Sequence, residues 1–348
     1  MTSSSSLDAP DAAGESIAPA MGLSTMGIVV IGRNEGRRLV RCLESVLRFA
    51  AFVVYVDSGS TDGSAAKARA LGVEVVELDM RRPFTAALAR NAGWRRLLEI
   101  APGIACVHFL DGDCEVVPGW LETAHHTLMR RQELAVVCGR RRERFPEASA
   151  FNRQCEIEWN AAVGEVRSCG GDALMRVSAL QAVDGYRDDL IAGEEPELCV
   201  RLREAGWKIW RVNRDMVWHD AAMRHWSQWW KRSKRAGHAF AEGVFLHGAP
   251  PERHYVTEER RALIWGAFLP LAALLLAAIN PVGLLLLAAY PLQILRLALN
   301  PEAAAREADA AWSRAFFLVA GRFPEAAGVL LFRWHRLRGR TSTLIEYK

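Results

Sequence analysis

The chain has 348 residues, 51% hydrophobic and 24% charged, which is length for about two units of some 150 residues and excludes a disordered or polar fibrous protein. Its 44 Lys and Arg against 40 Asp and Glu leave a formal net charge of +4, too small for a dedicated nucleic-acid binder, so no nucleic-acid partner is expected. The 7 cysteines are odd in number, scattered and without a CxxC pair, which indicates neither a disulfide framework nor a zinc site and points to a reducing compartment.

Residues 1–25 are rich in Ser, Ala, Asp and Pro, with no basic start and no apolar run. They read as a disordered leader rather than a signal peptide, leaving the rest of the chain in the cytoplasm unless a later segment inserts. From Met26 onward, short apolar runs alternate with helical stretches. Gly27–Ile31, Phe52–Val56, Val73–Leu78 and Cys106–Leu110 read as strands, with helices expected near 36–49, 62–71, 84–99 and 119–131. This alternation predicts an α/β layer with a mixed, mainly parallel sheet flanked by helices. Parallel strands present functional loops at their carboxyl ends. Three of those ends are unusually polar: GRNEG after the first strand, DSGSTDGS after the second and DGDCE after the fourth. Their clustering predicts a site.

Composition changes near residue 259. Ala262–Ile279 is a run of 18 residues without a charge, and Pro281–Leu295 adds 15 more after the turn at Asn280. Eighteen helical residues span roughly 27 Å, close to a bilayer core. Arg260 and Arg261 precede the pair, and Arg296 and Arg306 follow it, which predicts a hairpin with both ends at the cytoplasmic face. Pro270 and Pro291 leave a re-entrant form open beside two full spans, and a buried hairpin of a soluble domain is the plain alternative. Before it, residues 224–238 hold five Lys or Arg and three Trp without an acid. With helical spacing, Trp226, Trp229 or Trp230, Gly237 and Phe240 share a face, which predicts an interfacial helix with Trp at headgroup depth. The run 332–340 reads as a second basic amphipathic segment lying on anionic lipid.

Asp111 and Asp113 flank Gly112 at a strand end, where residues i and i+2 point to one side and two carboxylates can converge. Paired oxygens suit Mg2+ or Mn2+ with phosphate; an ordinary Asp-Gly turn is the alternative. Asp57 ends the second strand and can accept hydrogen bonds from a base or ribose. Glu194, Glu195, Pro196 and Glu197 open a helix, with Pro196 expected at its first position. These acids meet the helix dipole favourably, or one of them serves as a general base for an acceptor hydroxyl.

Taken in order, residues 27–47, 53–64, 87–93, 109–121, 170–176 and 193–207 resemble the family 2 glycosyltransferases. The resemblance implies a GT-A fold over residues 26–222 and inverting transfer from a nucleotide-diphospho-sugar to a hydroxyl. By that resemblance, Asp57 contacts the nucleotide base, Asp111 and Asp113 form the DxD pair, and Arg90 and Asn91 contact the donor. It also implies that Gly170, Gly171 and Asp172 form the acceptor-side loop, that Glu195 or Glu194 is the catalytic base, and that His219 completes metal coordination. Two departures stand out. Glu195 replaces the usual Asp of a Glu-Asp pair, and Gln228 is followed by Trp229, Trp230, Lys231 and Arg232 instead of Gln-x-x-Arg-Trp. The second departure, with only two expected spans, argues against a polymerase with its own export channel. A dinucleotide oxidoreductase is set aside, because the first turn lacks GxGxxG.

The expected organisation is a leader (1–25), the catalytic domain, an interfacial helix and linker (223–258), a membrane hairpin (259–300) and a basic tail (301–348). The expected partners are a nucleotide sugar, membrane lipids and a lipid-linked acceptor at the cytoplasmic membrane. The rival is a catalytically silent membrane scaffold, which would be free to lose Asp111, Asp113 or the Glu pair; all persist.

Overall fold

The computed structural model describes residues 23–81, 84–300 and 310–339. The expected leader through residue 22 and the ends of the expected tail lie outside them. The first half alternates as the sequence predicts: β1 (Met26–Gly32), α1 (Arg37–Leu47), β2 (Phe52–Asp57), α2 (Ser64–Ala70), β3 (Glu74–Glu77), α3 (Ala86–Ile100), β4 (Cys106–Asp111), β5 (Cys114–Val116) and α4 (Trp120–Arg130). The second half adds β6 (Leu134–Glu143), α5 (Ala150–Glu158), β7 (Gly164–Val166), β8 (Ala173–Arg176), α6 (Val177–Ala182), α7 (Glu194–Glu204), β9 (Lys208–His219) and α8 (Trp226–His247).

One sheet runs in the order β3-β2-β1-β4-β8-β6-β9-β5, with β7 beside β9. The β1–β2, β1–β4 and β2–β3 pairs are parallel, so the carboxyl ends of β1, β2 and β4 open on one edge. β8 is antiparallel to both β4 and β6. Its first residues therefore return to the edge where β4 ends, which brings residues 170–172 to the site. The central strands are covered on both faces, and Ile28, Val29, Val30, Val107, Phe109 and Leu110 are fully buried. That burial explains their continuous apolar runs. α3 lies close on β1: a Cβ at Gly93 would fall 2.3 Å from Val29, so only glycine allows this approach.

Among the described residues, three helices are long and apolar enough to cross a membrane: Val256–Ile279, Pro281–Ala298 and Ala311–Leu337. The first two carry the expected apolar runs. The third lies within the expected tail. The part of the expected tail up to Leu337 belongs to that helix, which packs against α8 and the first apolar helix. There Arg333 donates to Glu259 (2.8 Å) and Arg336 stacks over Phe245. The packing is close: a Cβ at Gly237 would fall 1.9 Å from the Glu325 carbonyl oxygen, and one at Gly328 2.0 Å from that of Lys234. The Trp face of α8 also differs from expectation. Trp229 is buried against Phe151 and Phe317, while Trp226 and Trp230 stay exposed. Gln228 accepts from the Arg224 and His225 backbone N–H groups and caps α8.

Candidate active site

The three polar loops meet at the sheet edge. Asn34 of the first loop donates its N–H to Ser60 Oγ (2.9 Å) and accepts from the Thr61 N–H (2.8 Å), which joins the first two loops. The Gly112 N–H donates to the Ile31 carbonyl (2.8 Å), fixing the Asp-Gly-Asp turn on β1. Asp57 is buried at the end of β2, where its carboxylate accepts from Tyr55 Oη (2.8 Å) and the Ser60 N–H (2.7 Å). Those bonds orient it and leave further lone pairs for a ligand.

At the centre lies a buried charge network. The Arg90 guanidinium, 3% exposed, reaches Asp111 Oδ1 (2.9 Å), Glu194 Oε1 (2.9 Å) and Glu195 Oε1 (2.8 Å). Burial opposes that cation, but Glu195, Asp111 and Glu194 outweigh it and hold Arg90 firmly protonated. Burial pushes the Glu195 carboxyl up to about 7, against the pull of Arg90 and with a further push from Glu194 and Asp111. Glu194 and Glu195 open α7 behind Gly193, whose φ of 78° suits glycine. Pro196 therefore sits inside the first turn rather than at its first residue, where its missing N–H still costs nothing. Gly171 abuts the same network: a Cβ there would come 2.7 Å from Arg90, 2.8 Å from Asp111 and 3.1 Å from Glu195.

Arg141 and Glu143 were missed in the sequence. Arg141 bridges Asp111 (3.2 Å) and the fully buried Asp172, and Asp172 Oδ1 accepts the Asp111 N–H (2.9 Å). Two residues along β6, Glu143 lies 3.4 Å from His219 Nδ1, while His219 Nε2 lies 3.4 Å from Asp113 Oδ2. The alternation of a strand was the available signal, since it puts positions 141 and 143 on one face. Trp159 closes this side, its ring edge-on to His219 and beneath Arg141. Asn91 requires a correction. It is fully buried and holds the 186–188 loop, donating to the Tyr186 carbonyl (2.7 Å) and Asp188 (2.6 Å) and accepting from the Tyr186 N–H and Trp94 Nε1. Its polar atoms are spent on that loop, so it positions the wall instead of touching a donor.

The donor set fits a divalent cation. Asp113, Cys114 and His219 each place a ligand atom within 4.8 Å of the others, as do Asp111, Cys114 and Asp172. Burial, then Asp172, pushes the Cys114 thiol well up, so it stays protonated and is a poor ligand. Arg141 already compensates Asp111 and Asp172, which makes the Asp113–His219 pair the better seat. Carboxylate and imidazole suit Mn2+ or Mg2+, and Glu143 behind His219 supplies an orienting partner of the kind such ligands use.

A mixed sheet of this order, with Asp57 at the carboxyl end of β2 and Asp111 at that of β4, is the GT-A glycosyltransferase architecture. Residues 27–180 match the family model "Glycosyl transferase family 2", and the chain carries that glycosyltransferase domain. It is 32% identical over 217 residues to the succinoglycan biosynthesis protein ExoA of Rhizobium meliloti (strain 1021). That match covers 57% of this chain and 64% of the relative, under two thirds of its length. The mannosyltransferase PcManGT from Pyrobaculum calidifontis, solved in complex with GDP-Man and Mn2+, superposes with a TM-score of 0.58 at 17% identity. That likeness covers 92% of this chain and 90% of the other, and it establishes the shared fold.

Proposed function

We propose that this glycosyltransferase is an inverting, metal-dependent enzyme that moves a sugar from a nucleotide-diphospho-sugar to a lipid-linked hydroxyl acceptor at the cytoplasmic membrane face. The observation that carries the proposal is Glu195, with its carboxyl near 7, held by Arg90 at the edge where Asp111 ends β4 and Asp113 follows in the turn to β5. Asp57 and the joined loops after β1 and β2 take the nucleoside. Asp113 and His219 would hold Mg2+ or Mn2+, in line with the Mn2+ and GDP-Man bound by the Pyrobaculum calidifontis mannosyltransferase. When bound, the ion neutralises charge on the departing nucleoside diphosphate. Glu195 takes the proton of the acceptor hydroxyl as its oxygen attacks the anomeric carbon from the face opposite the leaving group, which inverts that centre. A base titrating near neutrality combines ionised population with proton affinity. Glu194 shares Arg90 and keeps the guanidinium from neutralising Glu195 alone.

Membrane placement rests on the three apolar helices that come after the site, and the biosynthetic role of the rhizobial relative accords with an acceptor built on lipid. The proposed division is a catalytic unit through residue 222 and an anchoring unit beyond it. Arg260, Arg261 and Arg296 support the cytoplasmic orientation. The test uses purified full-length protein in detergent with UDP-, GDP- and dTDP-sugars and Mn2+. Nucleotide release that is lost in Asp113→Asn supports the reading; equal release by variant and wild type contradicts it.

A further inference from the structure

The linker between α8 and the first apolar helix carries a compact cationic cluster outside the donor site. Glu252 in this linker receives both Arg167, whose side chain is 68% exposed, and Arg203 (2.6 Å). Arg203 also donates to the Arg167 carbonyl, and Arg167 to the Glu252 carbonyl (3.4 Å). His247 and His254 stand beside them, with His247 bonded to Glu197 (3.0 Å). Two buried nitrogens here, Arg203 Nε and His254 Nε2, find no hydrogen-bond partner among the described residues. Burial, then the neighbouring His247 and Arg203, pushes His254 down to about 4.

Position gives this cluster its meaning. The linker leads directly into Val256–Ile279, so when that helix crosses a membrane the linker sits at headgroup depth. Arg203 stands in the last turn of α7, whose first turn bears Glu195. Eight residues of helix separate them by about 12 Å, a gap that a diphosphate and one or two sugar rings fill. Burial, then the Glu195 charge, raises the Tyr255 phenol at the end of the linker, so the linker lies within the field of the base.

We propose that Arg167 and Arg203 form a seat for the phosphate of a membrane-embedded, lipid-linked acceptor, with Glu252 filling that seat until the anion displaces it. The inference rests on the reading of the acceptor as lipid-linked and names the group by which the acceptor is gripped. Paired guanidiniums match phosphate oxygens in number and geometry. A carboxylate held by the same two side chains is the intramolecular stand-in for that anion.

The test is binding of a fluorescent polyprenyl diphosphate by full-length protein in phosphatidylcholine vesicles, with phosphatidylglycerol as competitor. Arg167→Ala and Arg203→Ala are expected to weaken binding about tenfold each, the scale of a charge-assisted hydrogen bond, whereas Glu252→Gln should tighten it several-fold. Arg203→Lys should recover part of the loss, and thermal scans confirm that each variant is folded. A merely structural ion pair predicts the opposite for Glu252→Gln, namely loss in parallel with the arginine variants. That outcome, or unchanged binding in all variants, overturns the proposal, as does competition by phosphatidylglycerol on equal terms, which would mark a general headgroup contact. Donor turnover without acceptor is measured alongside, so failure of the seat with intact turnover refutes this inference alone.

Discussion

Arg90→Met removes the cation shared by Asp111, Glu194 and Glu195, which approach it at 2.9, 2.9 and 2.8 Å while its side chain is 3% exposed. Breaking a buried ion pair by deleting one partner costs about 3–5 kcal/mol, because the remaining charge is left uncompensated. For a domain of this size that is a fall in Tm of roughly 6–20 °C. Glu195 titrates near 7 with Arg90 pulling it down, so without Arg90 its carboxyl moves higher. The sign follows from a folded-state value raised above the unfolded one: the contribution to stability is present at low pH and lost as pH rises through the folded value. The variant is therefore most destabilised above pH 7 and recovers as the pH falls and Glu195 takes up a proton. Activity moves the other way, and the acid limb of kcat/KM, near 7 in the wild type, shifts alkaline because the base must ionise. Thermal scans across pH, with donor and acceptor kinetics, measure both effects. A destabilisation below about 1 kcal/mol, the lower end of ordinary substitutions, or an unshifted acid limb would refute the assignment of Arg90 as the compensating charge.

Glu195→Gln should keep donor KM and lose about 10²–10⁴ in kcat; if steady-state kinetics show that pattern for Glu194→Gln and not for Glu195→Gln, the base is the other residue. Glu143→Gln leaves the ligands in place and removes the partner of His219, so titration calorimetry should show Mn2+ affinity falling about 10–100-fold. Gly237→Ala drives a Cβ to 1.9 Å from the Glu325 carbonyl and should cost at least the 1–3 kcal/mol typical of overpacking, seen as a lower Tm in detergent. Gly103→Ala, which meets nothing within 4 Å, is the control.

Local signals carried the first half of the molecule. GIVVI, FVVYV and CVHFL are buried on both faces and read as parallel strands because no charged residue interrupts them. The acids at 57, 111, 113, 194 and 195, which we propose form the site, drew notice in the sequence because each stands at or beside the end of an element, where a carboxylate is not needed for packing. The antiparallel half was not legible. β5 has only three residues, and β6 opens with the apolar run LAVVC but continues into Gly-Arg-Arg-Arg-Glu, so its apolar pattern covers only its first half. Arg141 and Glu143 were lost with β6, and without the register of β6 against β9 nothing placed Glu143 beside His219. Asn91 misled for a related reason. A polar pair before the acidic motif looks alike in sequence whether it faces a ligand or a loop, and only tertiary contact with Tyr186 and Asp188 separates the two. The third apolar helix was hidden by Arg314, Arg322 and Glu325, which interrupt its run; the pairing of Arg322 with Glu325 (2.7 Å) accommodates two of those charges.

The most direct test of the mechanism is the anomeric configuration of the product. With purified full-length protein, Mn2+, a nucleotide-diphospho-sugar that it turns over and membrane-extracted lipid acceptor, the first sugar transferred is read by NMR before any mutarotation. Direct displacement with Glu195 as base predicts a linkage inverted relative to the donor, formed by the wild type and absent in both Asp113→Asn and Glu195→Gln. A retained linkage, or undiminished transfer by either variant, would contradict it.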